Sequence, residues 1–210
     1  VANEYHEKIA FSIVNYEENQ CVKFAQSVNV TEDDLPTLRI LQIKVPLNKY
    51  LFTKKKVNKK NILEFLEDFW ARRIDPIFKS QPIPAEKYKN GIRQLVGKNF
   101  GEVVFDNSKD VLVVFYSPTC YYSNQLVPVI EKVAAILKNS PNLVIASMDS
   151  SANEAEDSKA TATPSVKFYL RNQKYEPLDY NSAHIEQAFI GYIKRYATTE
   201  IIEGGIDNPY

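Results

Sequence analysis

The apolar positions of this chain fall into short unbroken runs separated by stretches of helical spacing, most cleanly between residues 92 and 196. Val111-Leu112-Val113-Val114-Phe115-Tyr116 is continuous, β-branched and aromatic, as a central strand covered on both faces requires. Residues 92–96 read as an earlier strand, with a short helix from 99 to about 106 between the two. Leu126, Ile130, Val133 and Leu137 recur at helical spacing, widened by Val129 and Ile136, and Pro128 is expected to kink that helix. Residues 142–148 form another apolar run ending in Asp149-Ser150-Ser151, and a polar helix is predicted over 152–159. Ser165–Leu170 and residues 174–180 flank Arg171-Asn172-Gln173 as a hairpin. Ile185, Ala188, Phe189, Tyr192, Ile193 and Tyr196 line one side of a last helix. The order β-α-β-α-β-α-β-β-α predicts an α/β fold, a mixed sheet with helices on both faces.

The first part of the chain repeats the back of this order. Residues 8–14 are predicted as a strand, 17–27 as a helix and 37–45 as a strand with which Tyr50-Leu51-Phe52-Thr53 can pair. A helix over 62–74 carries Ile62, Leu66, Phe69 and Ile74. Leu35-Pro36-Thr37 stands where Thr163-Pro164-Ser165 stands later. The chain therefore reads as a partial copy (1–77), a linker (78–84), a complete copy (85–198) and a flexible tail (199–210). A half-domain exposes sheet edge and core, so the chain is expected to be part of a longer protein.

Charge narrows the function. Lys plus Arg and Asp plus Glu both number 26, which removes the electrostatic case for a nucleic-acid or acidic-membrane partner. No run of eighteen apolar residues occurs, so no membrane span is expected. The first residues are polar, without the order of a signal peptide. Asn29-Val30-Thr31 is one N-glycosylation acceptor, at Asn29. The basic run Lys54-Lys55-Lys56-Val57-Asn58-Lys59-Lys60 reads as a solvated loop, and His6 and His184 have no metal-ligand spacing, so no metal is expected. Two cysteines far apart make no disulfide framework; Cys21, within a predicted helix, reads as a small buried side chain.

Candidate chemistry lies in Phe115-Tyr116-Ser117-Pro118-Thr119-Cys120-Tyr121-Tyr122-Ser123, between a strand and a helix. A thiol on the first turn of a helix faces unpaired N–H groups and the positive end of the macrodipole, both of which favour thiolate. One turn on, where a dithiol switch needs its second cysteine, stands Ser123. A hydroxyl cannot displace sulfur from a mixed disulfide, so Ser123 can only hydrogen-bond to the Cys120 thiolate.

These residues resemble the protein disulfide isomerase family, in its last two thioredoxin-like domains. The resemblance runs through Asp33-Asp34-Leu35-Pro36-Thr37-Leu38-Arg39-Ile40, Lys79-Ser80-Gln81-Pro82-Ile83-Pro84 and Val96-Gly97-Lys98-Asn99-Phe100. It continues through the strand ending Phe115-Tyr116-Ser117-Pro118, Leu126-Val127-Pro128, Ile145-Ala146-Ser147-Met148-Asp149-Ser150-Ser151-Ala152-Asn153-Glu154 and Thr163-Pro164-Ser165-Val166-Lys167-Phe168. It implies a thioredoxin-like fold, with 1–77 the end of a non-catalytic peptide-binding domain and 85–198 a divergent catalytic one. It also implies a cis-proline at Pro164 beside Cys120, with Thr163 presenting backbone groups to an extended substrate.

The family has Trp-Cys-Gly-His-Cys-Lys where this chain has Thr119-Cys120-Tyr121-Tyr122-Ser123-Asn124. The resemblance would place a proton-relaying glutamate at Val114, its lysine partner near Ser147 and a mobile arginine near His184. These groups serve a resolving thiol, which is also missing. The resemblance implies no cofactor, residence in the endoplasmic reticulum lumen, and unfolded or disulfide-containing secretory polypeptides as partners. Two readings follow. In one, Cys120 is a monothiol nucleophile for isomerisation or covalent client retention, a weak isomerase without net dithiol oxidase activity. In the other, Cys120 is a leftover, and Tyr121 and Tyr122 serve a redox-inactive, chaperone-like binding module.

Overall fold

The structure is a computed structural model that describes residues 1–44 and 47–204. The chain divides into two compact units, Val1–Ile77 and Phe78–Tyr210.

The first unit contains α1 (Ala2–Tyr5), α2 (Asn19–Ser27), β1 (Arg39–Gln42), β2 (Asn48–Leu51) and α3 (Lys59–Trp70). β1 and β2 pair antiparallel, with Ile40 opposite Tyr50. Strand alternation sends Ile40, Tyr50 and Phe52 against Phe65 and Leu66 of α3, while Leu41 on the other face packs with Ala25, Val28 and Val30. Asn58 caps α3 by accepting from the Asn61 N–H at 2.9 Å. The strand expected over 8–14 is absent. Its apolar residues Phe11, Ile13 and Val14 stand exposed, and the segment pairs with no strand among the described residues. An apolar run becomes a strand only where a ladder accepts its N–H and C=O groups. Position 45, the end of the strand expected over 37–45, lies outside the described residues.

The second unit contains β3 (Tyr88–Lys89), β4 (Ile92–Leu95), α4 (Gly97–Val104), β5 (Asp110–Tyr116) and α5 (Tyr121–Ile136). It continues with β6 (Leu143–Asp149), β7 (Ser165–Leu170), β8 (Gln173–Asp179) and α6 (Glu186–Tyr196). The sheet order is β3-β4-β6-β5-β7-β8. β6 runs parallel to β4 and β5, and the remaining neighbours are antiparallel. β5 is central, so its residues pack in two directions. Val111, Val113 and Phe115 meet Phe100, Val104 and Tyr169, while Leu112 and Val114 meet Leu126, Ile130, Phe168, Phe189 and Ile193. α5 continues past Pro128 to Ile136.

The polar helix expected over 152–159 does not form. Asp157 and Lys159 have φ of 56° and 55°, outside helical values, and the segment's polar groups are used elsewhere. Asn153, 2 % exposed, accepts from the Gln81 N–H at 2.8 Å and donates to the Asp149 carbonyl at 3.1 Å. The Glu154 carboxylate accepts from the Lys79 N–H at 2.8 Å, while the Glu154 N–H donates to the Lys79 carbonyl at 2.7 Å. Residues 79–81, expected as linker, are thereby bonded into the second unit. A Cβ at Gly97 would lie 2.5 Å from the Glu154 carbonyl oxygen, so only glycine fits there.

The tail also departs from expectation. Asp110, fully buried, accepts from the Thr198 N–H at 2.6 Å, the Thr198 hydroxyl at 2.9 Å and the Thr199 N–H at 3.2 Å. Ile202 exchanges hydrogen bonds with the Ser140 hydroxyl, and the Gly204 N–H donates to the Ile136 carbonyl at 2.7 Å. Residues 198–204 are thus docked, whereas 205–210 lie outside the described residues.

Candidate functional site

Chain direction after β5 sets the site. The strand ends at Tyr116, and Ser117-Pro118-Thr119 turns into α5 with the Cys120 N–H donating to the Ser117 carbonyl at 3.0 Å. The Asn124 side chain donates to the Pro118 carbonyl at 3.2 Å and closes the turn. Cys120 is the N-cap of α5, in extended backbone conformation, and its carbonyl accepts the first intrahelical bond from the Asn124 N–H at 3.1 Å. That places Cys120 at the helix end that carries the orphan N–H groups of the first turn. Hydrogen bonds from the backbone and hydroxyl of Ser123, with a smaller one from the Tyr122 backbone, hold the Cys120 thiol below its ordinary pKa.

Cys120 is partly exposed and reduced. Its sulfur lies 3.8 Å from the Thr163 carbonyl oxygen, and the Thr163–Pro164 peptide is cis. The loop before β7 thus sets Thr163 and Pro164 beside the thiol. Ser123 is fully buried, and its oxygen accepts from the Ser117 N–H at 3.2 Å. The hydroxyl hydrogen is thereby left for the sulfur. Tyr121 and Tyr122 are each 70 % exposed, their rings edge to face at 5.6 Å. Both rings thus stand largely in solvent.

Val114 on β5 pairs in register with Ser147 on β6, so the two positions the resemblance assigned to an acid and its lysine partner are direct neighbours. Both are buried and neither carries an ionisable group. His184 stacks with Tyr180 and Phe189 at centroid distances of 6.3 and 6.2 Å. Between Pro164 and His184 runs a cleft of about 260 Å³, lined also by Leu126, Val166, Tyr180 and Ser182.

The other sequence candidates lie apart. Cys21 on α2 is partly exposed rather than buried, its sulfur 3.8 Å from a Glu18 carboxylate oxygen. A single apolar face on a nine-residue helix leaves its rim positions ambiguous from sequence. Leu35–Pro36 is a second cis peptide. Asn29, partly exposed, follows the α2 C-terminus with φ 58°, and its carbonyl accepts from Arg39 at 2.7 Å. Within the basic run, Lys54 and Lys59 reach Glu64 and Glu4 at 3.1 and 2.9 Å. Among the described residues no group of three His, Cys, Asp or Glu could hold a metal ion, and no helix is long and apolar enough to cross a membrane.

The model of the thioredoxin family matches residues 91–195, and the chain belongs to that family. The likeness to protein disulfide isomerases extends further along the chain. Over 193 residues, 92 % of its length, the chain is 30 % identical to the protein disulfide-isomerase of Gallus gallus and equally to that of Drosophila melanogaster. It spans 38 % and 39 % of the length of those relatives. Among solved structures, the first thioredoxin domain of mouse Protein disulfide-isomerase A4 is 22 % identical, with a TM-score of 0.47, covering 62 % of this chain and 91 % of that one. The family match over residues 91–195 gives the second unit the thioredoxin-like fold.

Proposed function

We propose that Cys120 is a monothiol nucleophile that exchanges disulfides with client polypeptides. The observation that carries this reading is its position at the α5 N-terminus, where Ser123 and Tyr122 favour the thiolate and the Thr163 carbonyl lies 3.8 Å from the sulfur. The Cys120 thiolate attacks one sulfur of a client disulfide; a new S–S bond forms, the old one breaks, and the other client sulfur leaves as thiolate. Ser123 cannot resolve the mixed disulfide. Release follows attack by a client thiol, which completes isomerisation, or by a small thiol from solution. Without either, the client stays covalently held. No net electrons pass to the protein, so this unit does not act as a dithiol oxidase.

The substrate face comprises Tyr121, Tyr122, Thr163 and Pro164, and the clients are folding secretory polypeptides of the endoplasmic reticulum lumen. Residues 1–77 act as a non-catalytic polypeptide-binding companion, and Asn29 is its glycan acceptor. A second reading draws on the exposed Tyr121–Tyr122 pair and the non-ionisable Val114–Ser147 pair, which supplies no acid–lysine proton relay. There the unit binds unfolded chains and Cys120 is inert.

Alkylation of Cys120 against pH, in a Cys21→Ala background with the unfolded chain as reference, separates the readings. A titration midpoint below that of the unfolded chain, together with client mixed disulfides that persist until thiol is added, supports exchange. A midpoint at or above it, with client binding unchanged by Cys120→Ala, establishes the binding module instead.

A further inference from the structure

α6 presents Ala188, Gly191, Tyr192 and Arg195 at i, i+3, i+4 and i+7, a single helical face. That face borders an open trough of about 420 Å³, which Tyr196 also lines. The trough shares Asp179, Asn181 and Ser182 with the cleft lined by Pro164, so the two adjoin, and Pro164 follows the Thr163 whose carbonyl lies 3.8 Å from the Cys120 sulfur.

Three observations define what fits there. First, a Cβ at Gly191 would meet nothing within 4 Å, and its φ is not in the left-handed region. Glycine weakens a helix interior relative to alanine, and neither backbone nor packing requires it here. What it provides is room on the trough floor. Second, the aromatic wall is held in place: Tyr192 donates to the Asp179 carbonyl at 3.1 Å and packs on Tyr180 and Tyr196 at 5.0 and 4.8 Å. Third, the charge is one-sided. The Asp179 carboxylate is paired with Lys167 at 2.6 Å, whereas the exposed Arg195 guanidinium lies over the Tyr196 ring at 5.3 Å and forms no ion pair with a described residue. The trough therefore carries one uncompensated positive charge beside two phenolic rings.

We propose that this trough is a recognition lane for the client chain, taking an extended segment with an acidic side chain on one side of the cysteine that meets Cys120. The proposal rests on the exchange reading of Cys120 and adds a specificity to it. Ala188 to Arg195 spans about 10 Å of helix axis, the length of roughly three extended residues. The carboxylate meets Arg195, and neighbouring side chains lie on Tyr192 and over Gly191. Because Arg195 lies to one side of the thiol, on α6, acids on only one side of the client cysteine are expected to reach it.

The test uses fluorescein-labelled peptides with a glutamate or a lysine walked outward from a central position on either side. That position is serine for equilibrium binding by anisotropy and a cysteine thionitrobenzoate disulfide for exchange. All proteins carry Cys21→Ala. Glutamate peptides of one polarity should bind about three- to fivefold tighter than their lysine counterparts at low salt, as one exposed ion pair allows. Arg195→Glu should reverse the preference. Gly191→Leu, which keeps the charge and fills open space, should abolish it. Equal binding of glutamate and lysine peptides, or a preference that survives both variants, overturns the lane. A small aromatic disulfide that reacts with Cys120 equally in all variants shows that the reactive thiol is intact, so failure of the lane is distinguishable. If Cys120 itself is unreactive, the exchange reading fails, and the serine-peptide binding still decides the lane.

Discussion

Replacing Asp110 tests how the second unit holds its C-terminal segment. This carboxylate is fully buried at the start of β5 and accepts four hydrogen bonds. One oxygen receives the Arg171 N–H at 2.6 Å and the Thr198 hydroxyl at 2.9 Å; the other receives the N–H groups of Thr198 and Thr199 at 2.6 and 3.2 Å. In Asp110→Ala, Thr198 and Thr199 can recover water by peeling away, but the Arg171 N–H is held by the β7–β8 turn. A stranded donor costs about 1–3 kcal/mol. Lost docking of residues 198–204, including Ile201 on the core, brings the expected total to about 3–4 kcal/mol. Asp110→Asn keeps one oxygen as acceptor but turns an amide N–H₂ toward the other pair of donors, so about half that loss is expected. Urea denaturation gives the two stabilities, and hydrogen exchange follows the amides of Thr198, Thr199, Ile202 and Gly204. Both variants should lose protection at those four amides, while the Arg171 amide is exposed only in the alanine variant. If Asp110→Ala costs less than about 1 kcal/mol, or the wild-type tail amides exchange freely, Asp110 does not hold the C-terminal segment.

Three further outcomes are expected. Ser123→Ala removes the hydroxyl that favours the thiolate, so the Cys120 alkylation midpoint should move to higher pH; an unchanged midpoint would assign the depression to the backbone alone. Leu126→Ala empties a fully buried position between α5 and the sheet and should cost about 2–5 kcal/mol in urea melts. Burial pushes the Lys174 ammonium, 3 % exposed, down to about 8 from 10.5, against the opposing pull of Asp110 and Asp106. Between those values the unfolded chain binds more protons than the folded one, so stability rises with pH across that window and falls as pH drops through about 8. Lys174→Met should lack this rise when melts at pH 7.5 and 10 are compared with wild type.

Local pattern alone determined the central architecture of the second unit. The run from Val111 to Phe115 is apolar at every position, which only a strand covered on both faces can satisfy, and β5 occupies that place. The spacing of Leu126, Ile130 and Val133 marked α5, and Cys120 at its start followed from the junction of strand and helix. That a serine stands one turn later, where internal release of a mixed disulfide needs a thiol, was also legible, because that release depends on residue type before it depends on geometry.

Tertiary structure decided the rest, for reasons of partnership. Residues 8–14 carry strand residues but find no ladder, while residues 152–159 carry helix formers whose polar groups are taken by Gln81, Lys79 and Asp149. The tail has no apolar period, yet Asp110 and Ser140 hold it from 88 and 62 residues away in sequence. Hydrogen bonds of that separation leave no local trace. The approach of Thr163 to Cys120 and the trough lined by Gly191 arise in the same way, because chain segments distant in sequence meet only when the sheet brings them together. Residue chemistry sets what Cys120 can do; the packing around it sets what it can meet.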